Sequence, residues 1–157
     1  WSNFQETVKI YKQGKAYYDA LKSVHDLVKG ARKVQQTILL VGDISDIYVT
    51  NFNTMTGDPN FTVEELSAIA FGYNRLLKES SDLLLDLKEV TTATGLSMTD
   101  KERLDIINRI YGEVLEYKNL TWYYTRKNIG VSYLRSKEKG DAARVLALYG
   151  THEQRYW

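Results

Sequence analysis

Cysteine is absent from this 157-residue chain, and proline occurs once, at Pro59. Disulfides, thiolate metal sites and a cysteine nucleophile are therefore excluded. Histidine is scarce: His25 and His152 stand far apart, with neither HExxH nor any comparable metal-ligand spacing around them. An excess of one charge is also missing, since 21 Lys and Arg offset 20 Asp and Glu to leave a formal net charge of +1. So close a balance makes no bulk electrostatic claim on nucleic acid or membrane. No apolar run approaches the roughly 20 residues that a bilayer span needs. Neither LLVGDIS nor KGARK has the spacing of a phosphate-cradling loop, and no GxSxG elbow occurs. The pairs Glu64/Glu65, Asp82/Asp86 and Glu113/Glu116 have the spacing of solvated helix faces, so none is selected for acid–base work. The chain is read as non-enzymatic, with no catalytic residue, cofactor or metal site.

What the sequence does contain is helical periodicity. From Thr62 to Val90, the residues Leu66, Ile69, Tyr73, Leu76, Ser80, Leu83, Leu87 and Val90 follow at alternating spacings of three and four. That is a heptad seam, which makes one side of a helix continuously buriable. Thr62 with Glu65 forms a capping signature at its start, and Thr99 with Glu102 repeats it. Before the central helix, one very long helix is read from Ser2 to about Phe52, roughly 75 Å at 1.5 Å per residue. Its glycines Gly14, Gly30 and Gly42 are candidate breaks. Residues 37–49 are rich in β-branched side chains and stand between helix and strand; helix is preferred because no second strand-like run exists to pair with them. Gly57-Asp58-Pro59 supplies the turn. A third helix is read to about Lys139, with Leu104, Ile107, Ile110, Val114, Tyr117, Leu120, Tyr124, Val131 and Leu134 inward. Gly140 and Asp141 then stop it and start a short helix, Ala142 to Tyr149. Short connections make consecutive helices antiparallel. The expected fold is all-α: a single domain over 1–157, an elongated antiparallel three-helix bundle of long, coiled-coil-like helices plus a short C-terminal helix.

Charge is distributed less evenly than its sum. Residues 1–33 carry seven cations (Lys9, Lys12, Lys15, Lys22, Lys29, Arg32, Lys33) against three acids (Glu6, Asp19, Asp26). From Lys118 to Arg144 seven cations (Lys118, Arg126, Lys127, Arg135, Lys137, Lys139, Arg144) face two acids (Glu138, Asp141). Each basic region reads either as a solvated helix surface or as a dock for acidic neighbours, including copies of the same rod. Adjacent aromatics at Tyr17-Tyr18 and Trp122-Tyr123-Tyr124 cannot all face one core, so some of them are surface or interface residues. The candidate interface residues are Phe4, Val8, Ile10, Tyr11, Tyr17, Tyr18, Trp122 and Tyr123.

The blocks FNTMTGDPNFTVEELSAIAFGYNRLL, LSMTDKERLDIINRIY, YYTRKNIGVSYLRSKEKGD and ALYGTHEQRYW resemble, in order, those of the TraI-type transfer proteins of Bacteroides-type conjugative transposons. The resemblance runs from about Asn3 to Trp157. More remotely, it extends to TrbJ-type and minor-pilus subunits of type IV secretion systems, which are elongated three-helix bundles. It implies a structural component of a conjugative DNA-transfer apparatus, exported to the periplasm or cell envelope. Its partners would be other apparatus proteins or further copies of itself, with no catalytic residues to carry over. Members of that family begin with a signal peptide and a short extra segment. Trp1 stands in place of an initiator methionine, so a processed or trimmed chain is expected. The competing reading is a DNA-binding accessory factor that uses the basic ends and the Trp122–Tyr124 aromatics.

Overall fold

The computed structural model describes residues 31–92 and 98–150. Among these it contains four helices and no strand: α1 (Ala31–Thr56), α2 (Val63–Thr92), α3 (Asp100–Lys139) and α4 (Ala142–Tyr149). Residues 37–49 are helix throughout, and α1 continues through Gly42 without a break. The expected breaks at Gly14 and Gly30 lie outside the described residues.

Helix ends follow the local chemistry of the chain. Ahead of α2, the Glu65 amide donates to Thr62 Oγ1 at 3.1 Å, and the Thr62 amide donates to the Glu65 carboxylate at 3.0 Å. Thr99 and Glu102 make the same reciprocal pair ahead of α3. Each box satisfies backbone donors that the first helical turn leaves without partners. α3 ends because Gly140 turns left-handed, at φ 77°, and its amide donates to the Lys137 carbonyl. A residue without Cβ meets no steric penalty there.

α1, α2 and α3 all touch one another, and α4 packs on α3 and α1. The deepest layer is aromatic. Tyr48 of α1 and Tyr73 of α2 are stacked, with ring centroids 4.6 Å apart, and Tyr124 of α3 meets Tyr73 edge-on at 5.0 Å. Ile44, Met55, Leu77, Leu87, Ile107, Ile110, Val114 and Ile129 extend this core in both directions. Each large side chain fully removed from water contributes about 1.5–3 kcal/mol.

Two details of the periodic reading are corrected. On α2, Leu77 and Leu84 are buried, whereas Leu66, Leu76 and Leu83 are only half-buried. Two neighbouring helices flank α2, and this widens its buried face beyond a single heptad seam. On α3 the change is larger. Ile107, Ile110 and Val114 face inward as expected, but Leu104, Leu120, Val131 and Leu134 are exposed. In the second half of α3, the inner positions belong instead to Thr121, Thr125, Ile129, Ser132 and Ser136.

Small hydroxyl residues suit that place for two reasons. They leave room for the tyrosine rings, and they can satisfy polar groups brought in by the neighbouring elements. Thr121 and Thr125 donate back to the carbonyls of Tyr117 and Thr121, at 2.7 and 2.8 Å. With its proton so used, Thr125 Oγ1 accepts from the Tyr73 hydroxyl. Burial, the larger influence, pushes the Tyr73 phenol pKa up, and the bond to Thr125 only partly opposes it.

Gly72 is required by close approach. The Tyr124 ring lies across it, and the Tyr124 hydroxyl donates to the Ile69 carbonyl at 3.0 Å. A Cβ on Gly72 would collide with that ring, whereas one on Gly112 of α3 would meet nothing within 4 Å. Alanine in a helix interior is otherwise worth about 1 kcal/mol over glycine. Gly112→Ala should therefore stabilise by up to about 1 kcal/mol, and Gly72→Ala should destabilise by about 1–3 kcal/mol through overpacking. Urea unfolding midpoints of the two variants check this; shifts of the same sign would refute the packing at Gly72.

Candidate functional site

Two features stand out, one buried and one exposed. The buried feature is built on the turn between α1 and α2. Asp58 has no side-chain exposure and accepts hydrogen bonds from the Asn60 amide (2.9 Å), the Ser132 hydroxyl and the Tyr149 hydroxyl (2.7 Å). Arg144 of α4 approaches its other side at 3.7 Å. Asn60 is equally engaged. Its Nδ2 donates to Ser136 Oγ at 2.6 Å and to both oxygens of Ser132, while its Oδ1 accepts from Lys139. Arg135 donates to the Asn60 carbonyl at 2.7 Å and to both oxygens of Glu65, at 2.9 and 2.6 Å. Asp58, Asn60, Ser132, Ser136 and Tyr149 each have a partner within the chain. Asp58 and Asn60 clamp the turn to the end of α3, and Tyr149 with Arg144 seals α4 over them. Such satisfaction is the signature of a structural clasp.

The clasp also settles much of the basic charge near α3. Of the seven cations from Lys118 to Arg144, Lys118 pairs with Asp43, Arg135 with Glu65 and Arg144 with Asp58 and Asp141, while Lys139 donates to Asn60. Arg126, Lys127 and Lys137 are left on the surface, with the Lys127 ammonium 5.3 Å from the centre of the Tyr123 ring.

The exposed feature is the outer track of α3. Leu120, Tyr123, Val131 and Leu134 are 47, 53, 39 and 58% exposed, and with Lys127 between them they follow at spacings of three or four residues. At 100° per residue they share one side of the helix, nearly opposite the buried Thr121, Thr125, Ser132 and Ser136. This half of α3 is thus largely inverted, with Ile129 and four hydroxyl residues inside and a row of apolar side chains in water. Single exposed apolar residues are ordinary; a row on one helix face is a candidate contact surface.

Leu120 also joins this row to an open groove between α2 and α3. Glu79, Asp82, Asp86, Glu113 and Glu116 line the groove beside Leu83 and Tyr117, around a volume of about 530 Å³. The Tyr117 hydroxyl donates to Glu79 at 2.9 Å, and this bond, followed by the one from Arg75, lowers the Glu79 pKa. Arg75 and Arg109 pair with Glu79 and Glu113 along their own helices, and both pairs are well exposed. The groove is an acidic surface with an apolar border.

Of the residues singled out from sequence, Tyr123 lies on the exposed row and Trp122 beside it is half-buried. Phe4, Val8, Ile10, Tyr11, Tyr17, Tyr18, His25 and His152 lie outside the described residues. Sequence reasoning missed Leu120, Val131 and Leu134 as surface residues and Asp58, Asn60, Ser132 and Tyr149 as a cluster. The one available signal was the adjacency of the threonine and serine track to the leucine track. Among the described residues, no helix is long and apolar enough to cross a membrane, and no group of three or more His, Cys, Asp or Glu could hold a metal ion. Comparison with protein-family models, with curated proteins and with solved structures finds no match to this chain.

Two outcomes test the clasp. The bonds from Arg135, then the Thr62 backbone, hold the Glu65 pKa down at about 2, below its ordinary 4.5. A carboxyl whose folded pKa is depressed stabilises the fold fully above about pH 4.5, and that contribution disappears as pH falls through about 2. The difference in urea midpoint between the unaltered chain and Glu65→Gln should therefore shrink from pH 6 to pH 2. A constant difference would refute the pairing. Asp58→Ala, which leaves Arg144 and three donors facing a void, should cost about 3–5 kcal/mol in the same assay at pH 7.

Proposed function

We propose that this chain is a non-catalytic, structural component of a conjugative DNA-transfer apparatus of the type IV secretion kind, working through protein–protein contacts. In this reading it forms one elongated antiparallel three-helix bundle domain, exported to the periplasm or cell envelope. Two kinds of contact support the antiparallel course of α2 and α3: Glu65 meets Arg135, whereas Glu79, farther along α2, meets the earlier Tyr117. Along α1 and α3 the order is the same in both, with Lys33 over Tyr111 and Asp43 on Lys118. The transfer setting rests on the resemblance of the sequence blocks.

The observation that carries the contact role is the outward apolar row of α3. A helix that gives its inner face to threonine and serine, and its outer face to leucine, valine and tyrosine, has the pattern of a surface to be covered. The DNA-binding alternative finds support in Lys127 over Tyr123, a cation beside a stacking ring. It is the weaker reading, because four of the seven neighbouring cations already serve partners within the chain.

A photo-crosslinking residue at Tyr123 or Leu134, in cells that carry the apparatus, should yield protein adducts identifiable by mass spectrometry. The same residue at Asn108, exposed on another side of α3, should not. Leu120→Asn/Leu134→Asn should lower transfer frequency at least about tenfold, the loss of a little over 1 kcal/mol of contact energy, with an unchanged circular dichroism spectrum. Normal transfer without adducts would overturn the proposal. Steeply salt-dependent DNA binding by the purified chain would favour the alternative.

A further inference from the structure

We infer that the outer row of α3 and the acidic groove beside it form one receiving surface, and that its occupant is the stretch Phe4–Lys22 of a second copy of this chain. The inference rests on the contact role proposed above and names the contact's partner. The surface has a polarity. Its Leu134 end is apolar, through Leu134, Val131 and Tyr123, whereas its Glu116 end is acidic and continues into Glu113 and, across the groove, Asp82 and Asp86.

The stretch at the start of the chain has a matching polarity. Phe4, Val8, Tyr11, Lys15, Tyr18 and Lys22 follow one another at spacings of four and three, which is a single track at helical period. Its early members are apolar and its late ones carry the lysines. Laid antiparallel, Phe4 would meet Leu134 and Val8 would meet Val131, with Tyr18 near Leu120 and Lys22 near Glu116. Both tracks span 18 steps of the chain, from Phe4 to Lys22 and from Glu116 to Leu134, about 27 Å each at helical rise. Charge complements as well: Phe4–Lys22 holds four cations (Lys9, Lys12, Lys15, Lys22) against two acids (Glu6, Asp19), and the groove holds five carboxylates, three of them paired with Arg75, Lys78 and Arg109. Opposite charges brought together give register and speed of encounter, and the apolar half gives the affinity.

A second copy is the fitting source because of where α1 lies. α1 meets α3 at Tyr111 and Lys118. At 100° per residue, these point nearly opposite to Leu120, Tyr123 and Leu134. The chain therefore enters α1 on the far side of α3 from the receiving surface. Two copies that exchange these stretches form a closed, two-fold pair.

Charge reversal in the full chain, read as molar mass by light scattering at micromolar concentration, tests this. The unaltered chain should be dimeric, with an association that weakens as salt rises. Asp86→Lys/Glu116→Lys, two exposed groove positions, should weaken association at least tenfold, as should Lys22→Glu. An equimolar mixture of the two variants should recover the dimer, because the altered stretch of one can then occupy the altered groove of the other. A monomeric unaltered chain, reversals without effect, or a mixture that stays monomeric would overturn the inference. A fold-back of the stretch onto its own chain would give the first and last of these results. Protein adducts at Tyr123 or Leu134 alongside a monomeric chain would refute the second-copy occupant and leave the proposed contact role standing. A dimer of the expected behaviour without an effect on transfer would do the reverse.

Discussion

Burial of the Asp58 carboxylate constrains the rest of this structure. A charge taken wholly out of water must be surrounded by donors, because the cost of leaving it unpaired is several kcal/mol. The chain supplies them from three directions: the Asn60 amide in the same turn, Ser132 on α3, and Tyr149 with Arg144 on α4. The angle of the α1–α2 turn, the rotation of α3 about its axis and the seating of α4 are thereby fixed by one group. Arg135, anchored on both the Asn60 carbonyl and Glu65, extends the same constraint to the first turn of α2.

The rotation of α3 is the consequence that matters for the proposed contact role. For Ser132 and Ser136 to reach Asp58 and Asn60, the serine and threonine track must face inward. Leu120, Val131 and Leu134, on the opposite track, must then face out. Stability of the clasp and exposure of an apolar row are two sides of one helix orientation. Upstream the conflict does not arise, because Ile107, Ile110 and Val114 lie on the inner track themselves. α3 therefore behaves as an ordinary amphipathic helix in its first half and as an inverted one in its second.

That inversion gives the protein a surface suited to recruitment. The proposed receiving face joins an apolar row, able to supply affinity through burial, to an acidic groove, able to select a basic partner and set its direction. The residues with the largest raised pKa values, Tyr73 and Tyr149, are phenols held neutral by burial and, for Tyr149, by the neighbouring Asp58 carboxylate.

The expected course of the first helix from Ser2 to Gly30 lies outside the described residues; within them, the sequence by itself determined the helices, both capping boxes, the stop at Gly140, the short C-terminal helix and the Gly57–Pro59 turn. These depend on contacts within four or five residues, where local chemistry is decisive. It determined the inward Ile107, Ile110 and Val114 of α3 as well, though not Leu104, which is exposed. Beyond Tyr117 two tracks compete, one leucine-rich and one of threonine and serine, and hydrophobicity alone selects the wrong one. The choice belongs to residues 70 or more positions away in the chain, since Asp58 and Asn60 reach Ser132 and Ser136 only in the folded structure. The acidic groove is likewise tertiary. Glu79 and Asp86 become neighbours of Glu113 and Glu116 only when α2 and α3 pack side by side, and no spacing along one helix announces it.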